Sequence, residues 1–284
     1  MKAYKNLPER LLTCLYDSDN EQGAEALYCA GFELQQWRCD ALAAHIMEWI
    51  ADYALVEDEL DVSHTNMYVR LQQAAIRIYT SDNYKKRGEV GEITLHAICR
   101  DFFGTIPFAP RVHYLTASND VVKSFDMVHV RYLGEDTFDL WLGEAKFYQD
   151  ASEAMASAIT SVTAHIDAGF LKSEKLILGP QISKNIPHYE KIRALFSQNI
   201  SIDKLFQTAV FPIFIASESE AVATATCHNE EYITAARREL LNLRTKLEAS
   251  GLREKIRILL IYVPLGSKEA LAAAFDRRLK GLQA

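Results

Sequence analysis

Leu140-Trp141-Leu142-Gly143-Glu144-Ala145-Lys146-Phe147-Tyr148 and, upstream, Ser124-Phe125-Asp126-Met127-Val128-His129-Val130 are dense in Val, Leu, Phe, Trp and Tyr. The short Gly-containing connection 133–137 joins the two segments. Two such runs around a short turn predict a β-hairpin over 121–132 and 138–148. Side chains alternate along a strand, so Glu144 and Lys146 share a face. Symmetric closure sets Tyr132 opposite Phe138, Val130 opposite Leu140 and Asp126 opposite Glu144. Opposed Cβ atoms stand ~5 Å apart. Two carboxylates that close repel unless positive charge sits between them. Hard oxygen donors without a Cys/His cluster favour Mg²⁺ (or Mn²⁺) over zinc. Lys146, on the same face, is placed to orient a water or to stabilise charge on a phosphate. This set suits phosphodiester hydrolysis. A surface hairpin with a plain Glu–Lys pair is the competing reading. Against it stand Phe125, Met127, Trp141, Phe147 and Tyr148, which make this a core hairpin, where charge needs a reason.

Outward from the hairpin, a helix is predicted over 89–103, stopped by Gly104 and Pro107. Glu89 and Glu92 lie three apart on it and are near neighbours on its surface. Glu92 is the favoured third carboxylate and Glu89 the alternative. Earlier helices are expected over 36–55 and 65–79, followed by a polar, basic connection at 81–88 that marks a boundary. The predicted organisation is a helical, acidic region over 1–84 ahead of an α/β core over 85–284. After the hairpin, a helix of small residues is expected over 151–171, and its Ser and Thr residues carry no catalytic reading. Apolar runs at 175–178, 210–216 and 256–263 read as strands, with helices at 186–197, 229–249 and 267–281. A hairpin followed by β/α alternation implies a mixed sheet with helices on both faces.

The chain has 284 residues, 49% hydrophobic and 24% charged, an ordinary globular composition that excludes extensive disorder. Its net charge is −7. Residues 1–61 hold 4 basic and 13 acidic side chains, while the remainder is nearly balanced. That acidity is a solvated face or a partner surface; in the second case, deleting 1–61 should alter partner binding or basal activity. Five cysteines without Cys-x-x-Cys spacing predict reduced thiols. No stretch has the length of a membrane helix and the N-terminus has no signal-peptide pattern, so a soluble, cytoplasmic protein is expected. Lys85-Lys86-Arg87 suits a phosphate backbone or a solvated loop. Tyr84 and Tyr148 read first as packing and second as base-stacking residues. His129 falls on the face opposite Asp126 and reads as structural; His96 is a weak site candidate. Cys227-His228 has no second ligand pair in view.

A helix Glu, then an Asp, then Glu-x-Lys in strand order resembles the PD-(D/E)xK, or restriction-endonuclease-like, superfamily. Asp126 fits the motif's Asp, although Phe125 stands where Pro is loosely kept. Residues 123–129 and 140–148, with Gly88-Glu89-Val90-Gly91-Glu92 before them, look like the DUF1837, or HamA-like, family. That family supplies the nuclease subunit of the Hachiman anti-phage defence system. The resemblance covers most of the chain from about Trp37 onward. It implies a restriction-endonuclease-like α/β core with a mixed sheet, preceded by a helical N-terminal region. It also implies Asp126, Glu144 and Lys146 as the catalytic and metal-binding set, with Glu92 as an added ligand. It implies broad, Mg²⁺-dependent DNA degradation and a HamB-like helicase partner. The rival expectations are a catalytically inactive nuclease-fold subunit that binds DNA or regulates a helicase, and a phosphoesterase acting on RNA or a small nucleotide.

Overall fold

The computed structural model describes residues 6–20, 23–78, 88–108, 125–135, 137–167, 175–176, 178–197 and 200–283. The strands are β1 (Thr13–Asn20), β2 (Gly23–Cys29), β3 (Phe32–Glu33), β4 (Gln36–Trp37), β5 (Ile106–Pro107), β6 (Met127–Tyr132), β7 (Phe138–Tyr148), β8 (Ala209–Glu218) and β9 (Arg257–Leu265). Seven of them form one sheet in the order β1-β2-β9-β8-β7-β6-β5. β2, β9, β8 and β7 run parallel, and β1, β6 and β5 pair antiparallel with their neighbours. The central strands are apolar on both faces, as strands covered on both sides must be. β8 sends Phe211, Ile213 and Ile215 into one core and Phe214 and Ala216 into the other.

Helices α1 (Cys39–Glu48), α2 (Ile50–Ala54), α3 (Met67–Ile78), α4 (Glu89–Phe103) and, from the chain's end, α10 (Lys268–Gly281) supply the second core. The first core is covered by α5 (Ala151–His165), α6 (Tyr189–Leu195), α7 (Ile202–Thr208), α8 (Glu220–Thr224) and α9 (Glu230–Ala249). The result is the mixed sheet with helices on both faces that a restriction-endonuclease-like core requires. α4 lies unusually close to β7 because glycines stand at the contact. A Cβ on Gly91 would sit 3.0 Å from the Phe147 Cβ, and one on Gly143 would sit 2.9 Å from Leu95 Cδ2. The helix ends as expected, with Gly104 in the left-handed conformation at φ 63°.

Three expectations are corrected. The N-terminal region is not all helical: β1 and β2 form a hairpin that joins the main sheet beside β9. Their acidic residues are partly edge-strand charges; Asp17 and Asp19 are exposed on β1, where charge discourages edge-to-edge pairing. Deleting 1–61 would therefore remove two strands of the main sheet, the β3–β4 hairpin and helices α1 and α2, so it is no clean test of a partner surface. The segment 36–55 is not one helix. It starts as β4 and breaks at the fully buried Trp49, whose N–H donates to Ile46 O three residues back. The run 175–178 is not a strand: Lys175, Leu176 and Leu178 are helical. The boundary proposed at residue 84, with Tyr84 and Lys85-Lys86-Arg87, lies outside the described residues.

The β3–β4 hairpin turns through Leu34 and Gln35 at φ 48° and 63°. Two-residue turns with both φ values positive favour Asn-Gly, and neither residue here has that freedom. Leu34 is also 92% exposed. Leu34→Asn with Gln35→Gly is expected to raise unfolding stability by about 1 kcal/mol, read from a denaturant midpoint. An unchanged or lower midpoint would refute the assigned strain.

Candidate active site

The hairpin register is the predicted one from Tyr132 opposite Phe138 to Met127 opposite Gly143. One residue further, the ladder gives way. Asp126 lies in a bend, its N–H donating to Gly143 O at 2.9 Å. Its carboxylate replaces the missing strand partner, because Ala145 N–H donates to Asp126 Oδ2 at 2.8 Å. Asp126 is thus fixed beside the residue between Glu144 and Lys146 rather than directly opposite Glu144.

Glu144 and Lys146 point to the α5 side of the sheet, the face of Leu140 and Leu142. Lys146 Nζ donates to Glu144 Oε1 and, at 3.1 Å, to Ser161 Oγ on α5. Glu144 is 4% exposed and Asp126 9%. Glu144 Oε2 is buried and accepts no hydrogen bond among the described residues; His165 Nδ1 stands 3.4 Å away. A buried carboxylate oxygen without a donor is costly on its own. The structure therefore brings Asp126, Glu144 and Lys146 together.

Glu92 is placed differently. α4 packs on the opposite face of the sheet, and Glu92 Oε2 accepts a hydrogen bond from Tyr53 OH at 2.6 Å. Glu89, the alternative, is half-buried in the first turn of the same helix. Among the described residues, no three His, Cys, Asp or Glu side chains group closely enough to cage a metal ion. A two-carboxylate donor set still suits Mg²⁺, which commonly binds through one or two carboxylates plus substrate phosphates and waters. The unsatisfied Glu144 Oε2 and the all-oxygen donors of Asp126 and Glu144 fit that ion. Ser161 and His165 were missed in the sequence. Their signal is the four-residue spacing Ser157, Ser161, His165 on a helix otherwise built of small and apolar residues.

His96 and His129 belong to a different arrangement, buried on the α4 face. His96 Nε2 lies 2.7 Å from Asp52 Oδ1, and its Nδ1 lies 3.0 Å from His129 Nε2. His129 Nδ1 lies 2.7 Å from Thr105 Oγ1. Arg100 donates to both Asp52 oxygens, at 2.9 and 3.2 Å, and to Thr105 O at 2.7 Å. Burial holds His96 below its ordinary value, against the pull of Asp52. It holds His129 well below, helped by the positive charge of Arg100. Such histidines bind a proton more readily in the unfolded chain. Stability from this pair is therefore full above the ordinary pH 6.5 and falls as pH drops below it. The unfolding midpoint is expected to drop between about pH 7.5 and about pH 5.5, and less steeply in His129→Gln. Equal slopes would remove His129 from the effect.

A cavity of about 930 Å³ lies at the far end of β7, lined by Asp139, Trp141, Arg131 and Arg257 among others, and holds none of the candidate residues. All five cysteines are free thiols, as expected. Among the described residues no helix is long and apolar enough to cross a membrane.

No curated protein and no solved structure gives a significant match to this chain. A family model does, and it spans residues 6–279, which include both strands of the hairpin and the N-terminal strands that the motif alone did not reach. With nearly the whole length matched, the chain belongs to the HamA family and is a component of Hachiman anti-phage defence.

Proposed function

We propose that the chain is the metal-dependent DNA nuclease of its defence system, cleaving phosphodiester bonds with low sequence specificity beside a HamB-like helicase partner in the cytoplasm. One observation carries the reading: the Asp126 carboxylate is anchored to Ala145 N–H at the level of the buried Glu144 and its half-buried partner Lys146. A surface hairpin with an incidental ion pair would expose these groups to water. Here they are withdrawn from it, where charge acts strongly.

Asp126 and Glu144 would hold the Mg²⁺ (or Mn²⁺); Glu92, on the opposite face of the sheet and held by Tyr53 OH, stands apart from them. When bound, such an ion neutralises phosphate charge and makes a bound water more acidic. Lys146 would stand beside the reacting phosphate, either stabilising the charge that develops there or orienting the attacking water. Asp126 aligns with them through Ala145 N–H, so the hairpin backbone itself sets the spacing of the carboxylates.

The test is cleavage of linear single- and double-stranded DNA by the purified chain, with Mg²⁺ or Mn²⁺ and with EDTA. Metal-dependent cleavage, lost in a folded Glu144→Ala/Lys146→Ala variant, is the expected result. Neither cleavage nor divalent-metal binding would instead leave the rival reading, a nuclease-fold subunit that binds DNA or regulates a helicase.

A further inference from the structure

We propose that Ser161 and His165, on α5, are positioning residues that fix Lys146 and Glu144 in their working orientation. This proposal rests on the nuclease reading of the site. After the turn at 149–150, α5 folds back over β7. Its start is fixed by Asp150, whose side chain accepts from Glu153 N–H at 2.7 Å. Residues four apart on a helix advance about 6 Å, and residues two apart on a strand advance about 6.6 Å. The repeats nearly match, so an antiparallel helix can present one partner to every second strand residue. Three rungs form. Tyr148 OH lies 3.1 Å from Ser157 Oγ, Lys146 Nζ lies 3.1 Å from Ser161 Oγ, and Glu144 Oε2 lies 3.4 Å from His165 Nδ1. Ala154 and Ala158, both fully buried, let the helix come this close.

The two inner rungs act on the groups that carry the chemistry. A lysine stem has four rotatable carbons, and a second hydrogen bond, donated by Lys146 Nζ to Ser161 Oγ, removes much of that freedom before substrate arrives. His165 is 4% exposed and packs edge-on against Phe125 at 4.9 Å. Phe125 immediately precedes Asp126. His165 therefore touches both the bend that carries Asp126 and the strand that carries Glu144, and its Nδ1 faces the one Glu144 oxygen that accepts no hydrogen bond.

The experiment compares Ser161→Ala, His165→Ala, His165→Asn and Ser157→Ala in the full chain. Readouts are steady-state cleavage of linear DNA, Mn²⁺ affinity by calorimetry without DNA, and thermal midpoints. Ser161→Ala and His165→Ala are expected to lose roughly 10- to 100-fold in kcat with KM nearly unchanged, the range for removing a close polar partner from a charged group. His165→Asn places an amide nitrogen near the Nδ1 position and is expected to recover most of the loss. Ser157→Ala breaks the same kind of contact one rung from the chemistry and is expected to stay within about twofold of the parent, well under the effect of one hydrogen bond. His165→Ala is also expected to weaken Mn²⁺ binding about tenfold, the equivalent of one such partner. A loss in Ser157→Ala equal to that in Ser161→Ala, failure of a folded His165→Asn to recover, or unchanged Mn²⁺ affinity in His165→Ala would each overturn the proposal. If the parent chain binds Mn²⁺ but does not cleave, as a nuclease awaiting its partner would, the Mn²⁺ comparison alone decides the positioning role. If it neither cleaves nor binds Mn²⁺, both fall.

Discussion

Asp52→Ala is expected to lower the unfolding free energy by about 3–5 kcal/mol, the usual result of removing one partner from a buried ion pair. Arg100 is 3% exposed and directs two donors at this carboxylate. The loss also propagates. With Asp52 ionised and both rings neutral, one proton arrangement satisfies every gap. His96 donates through Nε2 to Asp52, His129 donates through Nε2 to His96 Nδ1, and Thr105 donates to His129 Nδ1. The tautomers are inferred from this network. Burial alone would raise the Asp52 carboxyl, but the hydrogen bond and charge of His96, with Arg100, hold it below its ordinary value. Removing it takes away the terminal acceptor that fixes the direction of the chain. Asp52→Asn keeps an acceptor and loses the charge, so its cost should fall between parent and Asp52→Ala. Chemical denaturation at neutral pH checks both, and a cost below about 1 kcal/mol for Asp52→Ala would refute the account. The network ties α2, α4 and β6 together, so the cost is a measure of how firmly the face behind the site is held.

The site's sheet was largely legible because short-range patterns specify it. Hairpin register follows from loop length and alternation, and α4 carries both its start and its left-handed glycine stop in the sequence. What was not legible depends on distant partners. β2 reads poorly as a strand because it contains Glu25. That side chain is 1% exposed and lies 3.6 Å from Arg244 and from Arg253, more than two hundred residues away. Without those guanidinium groups a carboxylate at that position would argue against a buried strand. The polar rungs of α5 were hidden in the same way: a serine on a small-residue helix says nothing until the strand beneath it is known to carry Lys146.

The same limit applies to Glu92. Sequence places it in the first turn of a core helix, but not on which face of the sheet the helix lies. The structure puts α4 opposite Glu144, with Glu92 held by Tyr53 OH. Asp126 and Glu144 therefore carry the metal reading, and Asp126 permits the sharper test because its two roles are separable.

Asp126→Asn is expected to reduce metal-dependent cleavage by roughly a hundred- to a thousandfold while leaving the fold intact. That range is typical when one charge-stabilising group is removed from a preorganised site. Asn is nearly isosteric with Asp, and its carbonyl oxygen can still accept from Ala145 N–H, so the contact that ends the hairpin ladder survives. Only the negative charge is lost, and with it most of the attraction for a divalent cation. Asp126→Ala loses the charge and the acceptor together. It leaves Ala145 N–H without its observed partner and should cost a further 1–2 kcal/mol or about that in stability. Two measurements on each variant, a thermal midpoint and a cleavage rate with Mg²⁺ or Mn²⁺, separate the roles. An Asp126→Asn chain that keeps its midpoint and cleaves within a few-fold of the parent would show that Asp126 is only a backbone cap. If it keeps its midpoint but loses both cleavage and Mn²⁺ binding, the charge, and not the hydrogen bond, is what the hairpin is built to present.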